Sequence, residues 1–284
     1  MSKVNIVTDS VSCLPAEIVE KYDIRVVPFN LIMNQKSYRD QLDITPEEFW
    51  RIFKESKELP TTSAPSPGAF ATIFQELGKS TDSIVGIFVS RGLTVACEAA
   101  AQAKEMVREE LPDLNIGIID SRNAAGAQGY IVMEAARAAQ AGKNQAEVVK
   151  IAQEMIPKVK YVFSPGSLKY LIKGGRAPKT AYIGELMQVK PILGMVSGSG
   201  AVDSLGKVRG KRNAVAKLVD MVAEYTDTSK PIHAMVHYTD SLEDGEELKK
   251  MVTSRYNCAE MYLTPYTPVM ACHTGPSLLI AFYS

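Results

Sequence analysis

Short apolar runs alternate with longer helical patterns in the first half of the chain, and this alternation restricts the fold more than any other feature. The apolar runs at 4–8, 83–89 and 116–119 have the length of buried strands. Strands of this length, separated by helices of about ten residues or more, are typical of βαβ units in a parallel sheet. We therefore predict a Rossmann-like, mostly parallel α/β domain over residues 1–160.

The second half has a different pattern. Apolar runs at 190–195 and 201–208 flank the sequence Ser-Gly-Ser-Gly at 197–200, a turn signal that predicts an antiparallel hairpin. Helical patterns at about 211–225 and 242–254 then alternate with strand-like runs. We predict an α+β domain over residues 161–284, so that the fold class is α/β followed by α+β.

Composition excludes several classes of protein. Lys+Arg and Asp+Glu both total 32, so there is no net charge to hold a nucleic acid. No apolar run reaches the length of about 18 residues that a membrane helix requires, and no signal peptide is recognisable. The four cysteines and three histidines lack paired metal-ligand spacing, and we expect free thiols in a cytoplasmic protein without a metal.

The loop at 59–68 is the first candidate for a binding site. Thr61, Thr62 and Ser63 carry hydroxyls and stand between Pro60 and Pro65, which stiffen the backbone. Hydroxyls on a stiff loop that leads into a helix can bind an anion. The alternative interpretation is a capped linker without a ligand.

A second candidate follows the strand at 83–89. The chain turns at Gly92, and a helix begins near Thr94. Thr94 either caps that helix or presents its hydroxyl to a carboxylate. A third candidate is His273, just before the last strand, which is the side chain most suited to titrate near neutral pH or else a structural hydrogen-bonding group.

Two basic segments remain. The sequence Lys-Gly-Gly-Arg at 173–176 follows a helix and is interpreted as a C-terminal cap. The segment at 206–212 carries four cations and is either a solvated face or a docking patch for an anionic partner. The chain has no GxSxG motif, no GxxxxGK[ST] motif and no GxGxxG after a strand, so neither an α/β-hydrolase nucleophile nor nucleotide binding is indicated.

Taken together, these motifs resemble the DegV family across essentially the whole chain. No single segment is specific, but eight of them occur in the family's order. They are TDS at 8–10, PTTSAPS at 60–66, SRGLT at 90–94, IDS at 119–121, LIKGGR at 171–176, KPIL at 190–193, GKVR at 206–209 and HTGP at 273–276.

The resemblance implies a two-domain protein that holds a long-chain fatty acid between its domains and needs no cofactor. It implies that the carboxylate is held by hydroxyls at Thr62 and Thr94, with His273 and Arg209 at the carboxylate end or at a contact with a kinase. Ser63 and Ser90, next to these anchors in the two loops, complete the predicted ligand set. Members that act as binding subunits present the fatty acid to a separate ATP-using kinase, whose acyl phosphate product feeds phospholipid synthesis.

Several positions depart from the family pattern. Thr94, Val95 and Ala96 stand where serine, glycine and threonine are usual, Ala64 stands where glutamine is usual, and Gly210 stands where threonine is usual after Arg209. A valine does not readily adopt positive φ, so the backbone near Thr94 is expected to differ from that of relatives.

Two other functions are compatible with the residues. One is a hydrolase or acyltransferase that uses a serine, His273 and Asp9 or Asp120. The other is a protein-interaction module whose lipid is incidental. The first predicts turnover of esters or thioesters, and the second predicts partner binding that survives loss of Thr62 and Thr94.

Overall fold

The computed structural model describes residues 3–56, 58–178 and 189–284. A parallel sheet of four strands, in the order β2-β1-β6-β7, forms the first half. It consists of β1 (Asn5–Asp9), β2 (Arg25–Val27), β6 (Ser83–Phe88) and β7 (Asn115–Asp120). All three pairings are parallel, which confirms the predicted architecture.

The helices of the first half follow capping signals in the sequence. Thr45 and Asn144 each form a capping box with a glutamate three residues later, and Ser66 caps a helix that has proline at its first position. The helices are α1 (Ala16–Lys21), α2 (Pro46–Glu55), α3 (Pro67–Gly78), α4 (Ala96–Arg108), α5 (Ala125–Gln140) and α6 (Gln145–Met155). A short 3-10 helix, Ser10–Ser12, follows β1.

A small antiparallel sheet, β4-β3-β5, corrects one expectation. Pro28, which cannot donate to a ladder, separates β2 from β3 (Asn30–Met33), and β3 lies outside the parallel sheet. The predicted loop at 59–68 contains a strand, β5 (Thr61–Ser63), since threonine favours extended backbone and β3 offers a partner edge. β4 (Lys36–Arg39) completes this sheet.

A six-stranded sheet of order β10-β9-β8-β13-β11-β12 forms the second half. The predicted hairpin is confirmed, because β9 and β10 pair antiparallel. The strands are β8 (Lys160–Pro165), β9 (Val189–Met195), β10 (Asp203–Arg209), β11 (Ile232–Tyr238), β12 (Cys258–Pro265) and β13 (Ser277–Tyr283). The helices are α7 (Lys169–Lys173), α8 (Lys211–Tyr225), α9 (Leu242–Arg255) and α10 (Pro268–Thr274).

Helix α5 joins the two halves. It is buried along almost its whole length and contacts β1 and β6 of the first sheet as well as β8, β11 and β13 of the second. One large apolar core therefore extends through both halves, and a smaller core lies within the second half around Leu218, Val236 and Leu248. The division at residue 160 coincides with the first residue of β8 and stays a prediction.

Candidate functional site

An apolar cavity lies where the first sheet, the small sheet and the six-stranded sheet meet. Val11 and Val89, just beyond the carboxyl ends of β1 and β6, form one side of it, as is usual for binding sites in parallel sheets. Phe163 and Met195 of the six-stranded sheet form another side, and Met270 of α10 contributes a third. The atom-free space, including its solvent-open part, is about 660 Å³.

Thr62 and His273 meet at one end of this cavity. The Oγ1 atom of Thr62 and the Nε2 atom of His273 are 2.8 Å apart. Thr62 is central in β5, whose register opposite Leu31 fixes the direction of its side chain. His273 lies in the last turn of α10 and is half-buried. The sequence analysis predicted both residues as ligands, and the fold brings them together.

The imidazole of His273 is neutral at physiological pH. Burial, with a smaller effect from the charge of Arg176, lowers the pKa of His273 to about 4. The ring has room because position 174 is glycine, where a Cβ atom would lie 2.6 Å from Nδ1 of His273. The neutral ring has one donor and one acceptor nitrogen, so it can serve a hydroxyl and a ligand at once.

Thr94 lines the same cavity and is half-buried. It does not cap α4, because that helix begins at Ala96 and Val95 holds the cap position without a side-chain bond. The backbone N–H of Thr94 donates to the carbonyl of Ser90 at 3.3 Å. In the described part of the chain its hydroxyl has no hydrogen-bond partner, so it is available to a ligand.

The departures from the family pattern at Val95 and Ala64 are both accommodated by the fold. Val95 has a φ of −95° and a ψ of 19°, so the backbone here does not require the positive φ that glycine would supply. The side chain of Val95 is exposed. Ala64 lies in the cavity wall, where it adds apolar surface in place of an amide.

Arg176 lines the cavity, although it was not predicted from the sequence as a ligand-binding residue. Its Nε atom donates to the carbonyl of Leu93 at 3.1 Å, and Nη1 donates to the carbonyl of Gly174. Both bonds use backbone acceptors, and Arg176 forms no ion pair with a described carboxylate. Among the residues that the structure describes, no carboxylate neutralises the positive charge of Arg176 beside His273. Residues 173–176 were interpreted as a helix cap, and Arg176 was therefore not predicted as a binding residue. The arginine after two glycines was the only feature of the sequence that pointed to it.

Three predicted ligands lie outside the cavity. Ser63 is exposed, since side chains alternate along a strand and its neighbour Thr62 faces inward. Ser90 is buried, and its hydroxyl donates to the carbonyl of Gly200 at 2.6 Å, which ties the loop after β6 to the β9–β10 hairpin. Arg209 is exposed at the end of β10 and does not line the cavity.

A second, outer cavity adjoins the polar end of the first. Thr62, Arg176 and His273 line both spaces, and Thr61, Tyr170 and Lys173 line only the outer one. The outer cavity encloses about 590 Å³, including the part open to solvent. A polar group bound beside Thr62 would therefore face a basic opening, with its apolar part in the inner cavity.

Among the described residues, neither Asp9 nor Asp120, the carboxylates of the hydrolase alternative, is hydrogen-bonded to His273. The carboxylate of Asp9 accepts hydrogen bonds from the backbone of Val11 and Val89 and from Gln128, and burial raises its pKa to about 6. Asp120 accepts from the backbone of Arg122 at 2.8 Å. These carboxylates organise loops, while the side-chain partner of His273 is a threonine hydroxyl.

The residues described include no group of three or more metal-ligating side chains that could hold an ion. Among the helices formed by those residues, none is long and apolar enough to cross a membrane.

Fold and site together define an α/β protein with an apolar cavity at the junction of its sheets and a cationic, hydroxyl-bearing opening. The family model described as "Uncharacterised protein, DegV family" matches residues 3–284. The chain belongs to the DegV family.

The similarity to individual relatives extends over nearly the whole of each protein. A DegV domain-containing protein of Clostridium perfringens is 33% identical over 273 residues, which cover 96% of this chain and 95% of that protein. The solved structure of DegV from Bacillus subtilis, described as a fatty acid binding protein, is 28% identical with a TM-score of 0.89 and covers 100% of this chain and 99% of its own. A stearic acid-binding protein from Eubacterium ventriosum is 27% identical with a TM-score of 0.90, covering 100% of this chain and 98% of its own.

Proposed function

We propose that the protein binds one long-chain fatty acid, with the acyl chain in the inner cavity and the carboxylate beside Thr62, Thr94, Arg176 and His273. The observation that carries the proposal is an apolar cavity whose wall includes these four polar side chains, of which Thr62 and His273 are in hydrogen-bond contact. Relatives with 26–28% sequence identity and TM-scores of 0.89–0.90 are described as fatty-acid-binding proteins, which supports the same ligand class.

The apolar cavity and its polar side chains suit the two chemically different parts of a fatty acid. Burial of each methylene contributes about 0.8 kcal/mol, so a chain of about fourteen methylenes provides roughly 11 kcal/mol before ordering costs. A buried carboxylate without partners would cancel much of this gain. Hydroxyl donors and the guanidinium of Arg176 offset that cost through charge-assisted hydrogen bonds. The cavity therefore suits a molecule with one acidic end and one long apolar end.

We further propose that the bound fatty acid is presented to a separate kinase, which converts the carboxylate to an acyl phosphate. The basic outer cavity around Lys173 supports this, because it gives a second protein access to the carboxylate. The cationic segment with Lys207, Arg209 and Arg212, all exposed, is a suitable docking surface for an acidic partner. All four cysteines are thiols, which agrees with a cytoplasmic location.

Mass spectrometry of the denatured protein, purified from bacteria, tests the binding proposal. We expect one acyl chain per protein and strong depletion in the Thr62→Val, Thr94→Val double variant. The Ser63→Ala variant is the matched control and should retain the ligand, because Ser63 faces away from the cavity. Absence of any acyl chain, even after incubation with palmitate, would contradict the proposal.

The kinase proposal needs its own measurement. We expect acyl phosphate to form when the palmitate-loaded protein is mixed with ATP and the catalytic subunit of a bacterial fatty acid kinase. Ligand retention without product would leave the binding proposal intact and refute the presentation step. The Thr62→Val, Thr94→Val double variant tests the remaining alternative. If this variant still associates normally with the kinase, the result favours a protein-interaction module whose lipid is incidental.

A further inference from the structure

Helix α10 is anchored at its first turn by a residue from a distant part of the chain. Its own cap residue, Thr267, makes no side-chain hydrogen bond to the helix. Instead, the backbone N–H of Val269 donates to Oδ1 of Asp40 at 3.2 Å. A carboxylate at this position also suits the positive end of the helix dipole. Asp40, at the end of the small sheet, thus caps the first turn of α10.

Asp40 is firmly held on the small sheet. It directly follows β4, its backbone N–H donates to the carbonyl of Phe29 at 2.9 Å, and it forms an isolated bridge with Ile44. It is only 1% exposed. The ribbon of β3 and β4 that carries it also pairs with β5 and therefore with Thr62.

Two side-chain hydrogen bonds therefore connect the small sheet to the two ends of α10, and between them Sγ of Cys272 donates to the carbonyl of Pro60, directly before β5, at 3.2 Å. Asp40 contacts the first turn at Val269, and Thr62 contacts the last turn at His273. These helix positions are four residues apart, about 6 Å along the axis. A displacement of the first turn would carry the last turn with it, because a helix of this length moves as a rigid unit.

We propose that Asp40 is a positioning residue that holds α10 against the small sheet and so sets the contact between Thr62 and His273 at the polar end of the cavity. The functional importance of this contact rests on the proposed binding of a fatty acid. The contact itself is independent of any ligand, since both hydrogen bonds join atoms of the protein.

The surroundings of Asp40 indicate which substitution should preserve this role. Burial raises the pKa of Asp40 to about 7, and the charge of Asp9 acts in the same direction, while the hydrogen bond from the backbone of Val269 acts against them. A neutral side chain with an oxygen acceptor is therefore a close mimic. Asp40→Asn keeps that acceptor, Asp40→Leu removes it at similar size, and Asp40→Ser is too short to reach Val269.

The first measurement is the magnetic resonance of the ligand-free protein with isotope-labelled histidine. The chain has three histidines, so the ring signals of His273 can be assigned with a His273→Gln variant. We expect the Nε2 signal in Asp40→Leu and Asp40→Ser to move toward its position in Thr62→Val. It should stay in place in Asp40→Asn and in Asp43→Asn, an acidic control whose side chain pairs with Arg39.

The second measurement is palmitate affinity. Loss of the anchor should weaken binding about 10-fold, the effect of one unmade buried hydrogen bond, while Asp40→Asn and Asp43→Asn stay near wild type. An unchanged His273 signal in Asp40→Leu, or in Asp40→Ser if the leucine variant does not fold, would overturn the positioning role. If the wild-type protein binds no palmitate, the proposed function fails, but the resonance measurement still decides the role of Asp40.

Discussion

The hydroxyl of Thr62 lies 2.8 Å from Nε2 of His273, although 211 residues separate the two along the chain. Thr62 comes from the small sheet in the first half, and His273 comes from the helix before the last strand. The polar end of the cavity is therefore assembled from both halves of the protein. Any change in the relative position of these elements should alter ligand binding.

The Thr62→Val substitution tests the hydroxyl without changing the shape of the side chain. We expect palmitate affinity to fall about 10- to 150-fold, because a hydrogen bond to a charged group contributes about 1.5–3 kcal/mol. Isothermal titration of delipidated protein measures this change. The Ser63→Ala variant should bind normally, and equal losses in the two variants would show that the effect is not specific to the cavity.

Arg176 should matter more to fatty acid binding than Arg209. Arg176→Gln removes the cation at the polar end, and we expect about a 10-fold loss of affinity together with a weaker dependence on salt. Arg209→Gln should leave affinity unchanged, because Arg209 does not line the cavity. Titrations at two ionic strengths measure both effects. A larger loss in the Arg209 variant would restore the expectation drawn from the sequence.

His273 should make the ligand-free protein less stable in acid. The pKa of His273 is about 4 in the native state and about 6.5 when unfolded, so only the unfolded chain takes up a proton between these values. The free energy of unfolding of the wild type, relative to His273→Gln, should therefore fall as the pH is lowered from 6.5 to 4. The opposing effects of Asp9 and Asp40 are common to both proteins and cancel.

Urea unfolding at several pH values measures this difference. The protein must be free of ligand, because a bound carboxylate would favour the charged imidazole and raise its pKa. A difference between the two proteins that is constant over the range would show that His273 is not neutral in the native state.

Local patterns in the sequence predict many of the helices and strands, but they predict little of how these elements pack together to form the cavity. The parallel sheet, the hairpin and the capped helices follow from periodicity, turn signals and caps close together in the chain. Helix α10 was missed, since seven residues are too few for a helical period to emerge. Pro268, at the first position of α10, was the one sequence feature that indicated the start of a helix.

The site was predicted in part for the same reason. Thr62, Thr94 and His273 carry suitable groups and were identified through their motifs. Ser63 was predicted as a ligand together with Thr62, but it lies on the exposed face of β5, because the chain forms a strand with alternating faces where a loop was expected. Arg176 escaped notice because its function depends on a cavity made by residues far away in the sequence.

Gly92 should be required for the close approach of the loop after β6 to the β9–β10 hairpin. A Cβ atom at Gly92 would overlap the carbonyl oxygen of Gly200, the same atom to which Ser90 donates its hydroxyl. Backbone atoms cannot yield as a flexible side chain does, so the Gly92→Ala variant must displace the hairpin. We expect a loss of about 1–3 kcal/mol in the free energy of unfolding, as for other overpacked sites. Palmitate affinity should also fall, since Val202 next to this turn lines the cavity.

The Gly68→Ala variant provides the matched control for that experiment. Gly68 lies in the first turn of α3, and a Cβ atom there would meet only Ser66 Oγ at 3.8 Å, an ordinary contact. Because alanine favours a helix over glycine by up to about 1 kcal/mol, this variant should keep or gain stability. Urea unfolding of the two variants compares the same chemical change at a crowded and an open position. Equal stability of both would mean that the hairpin is not held against the loop, and the cavity wall at Val202 would then be free to move.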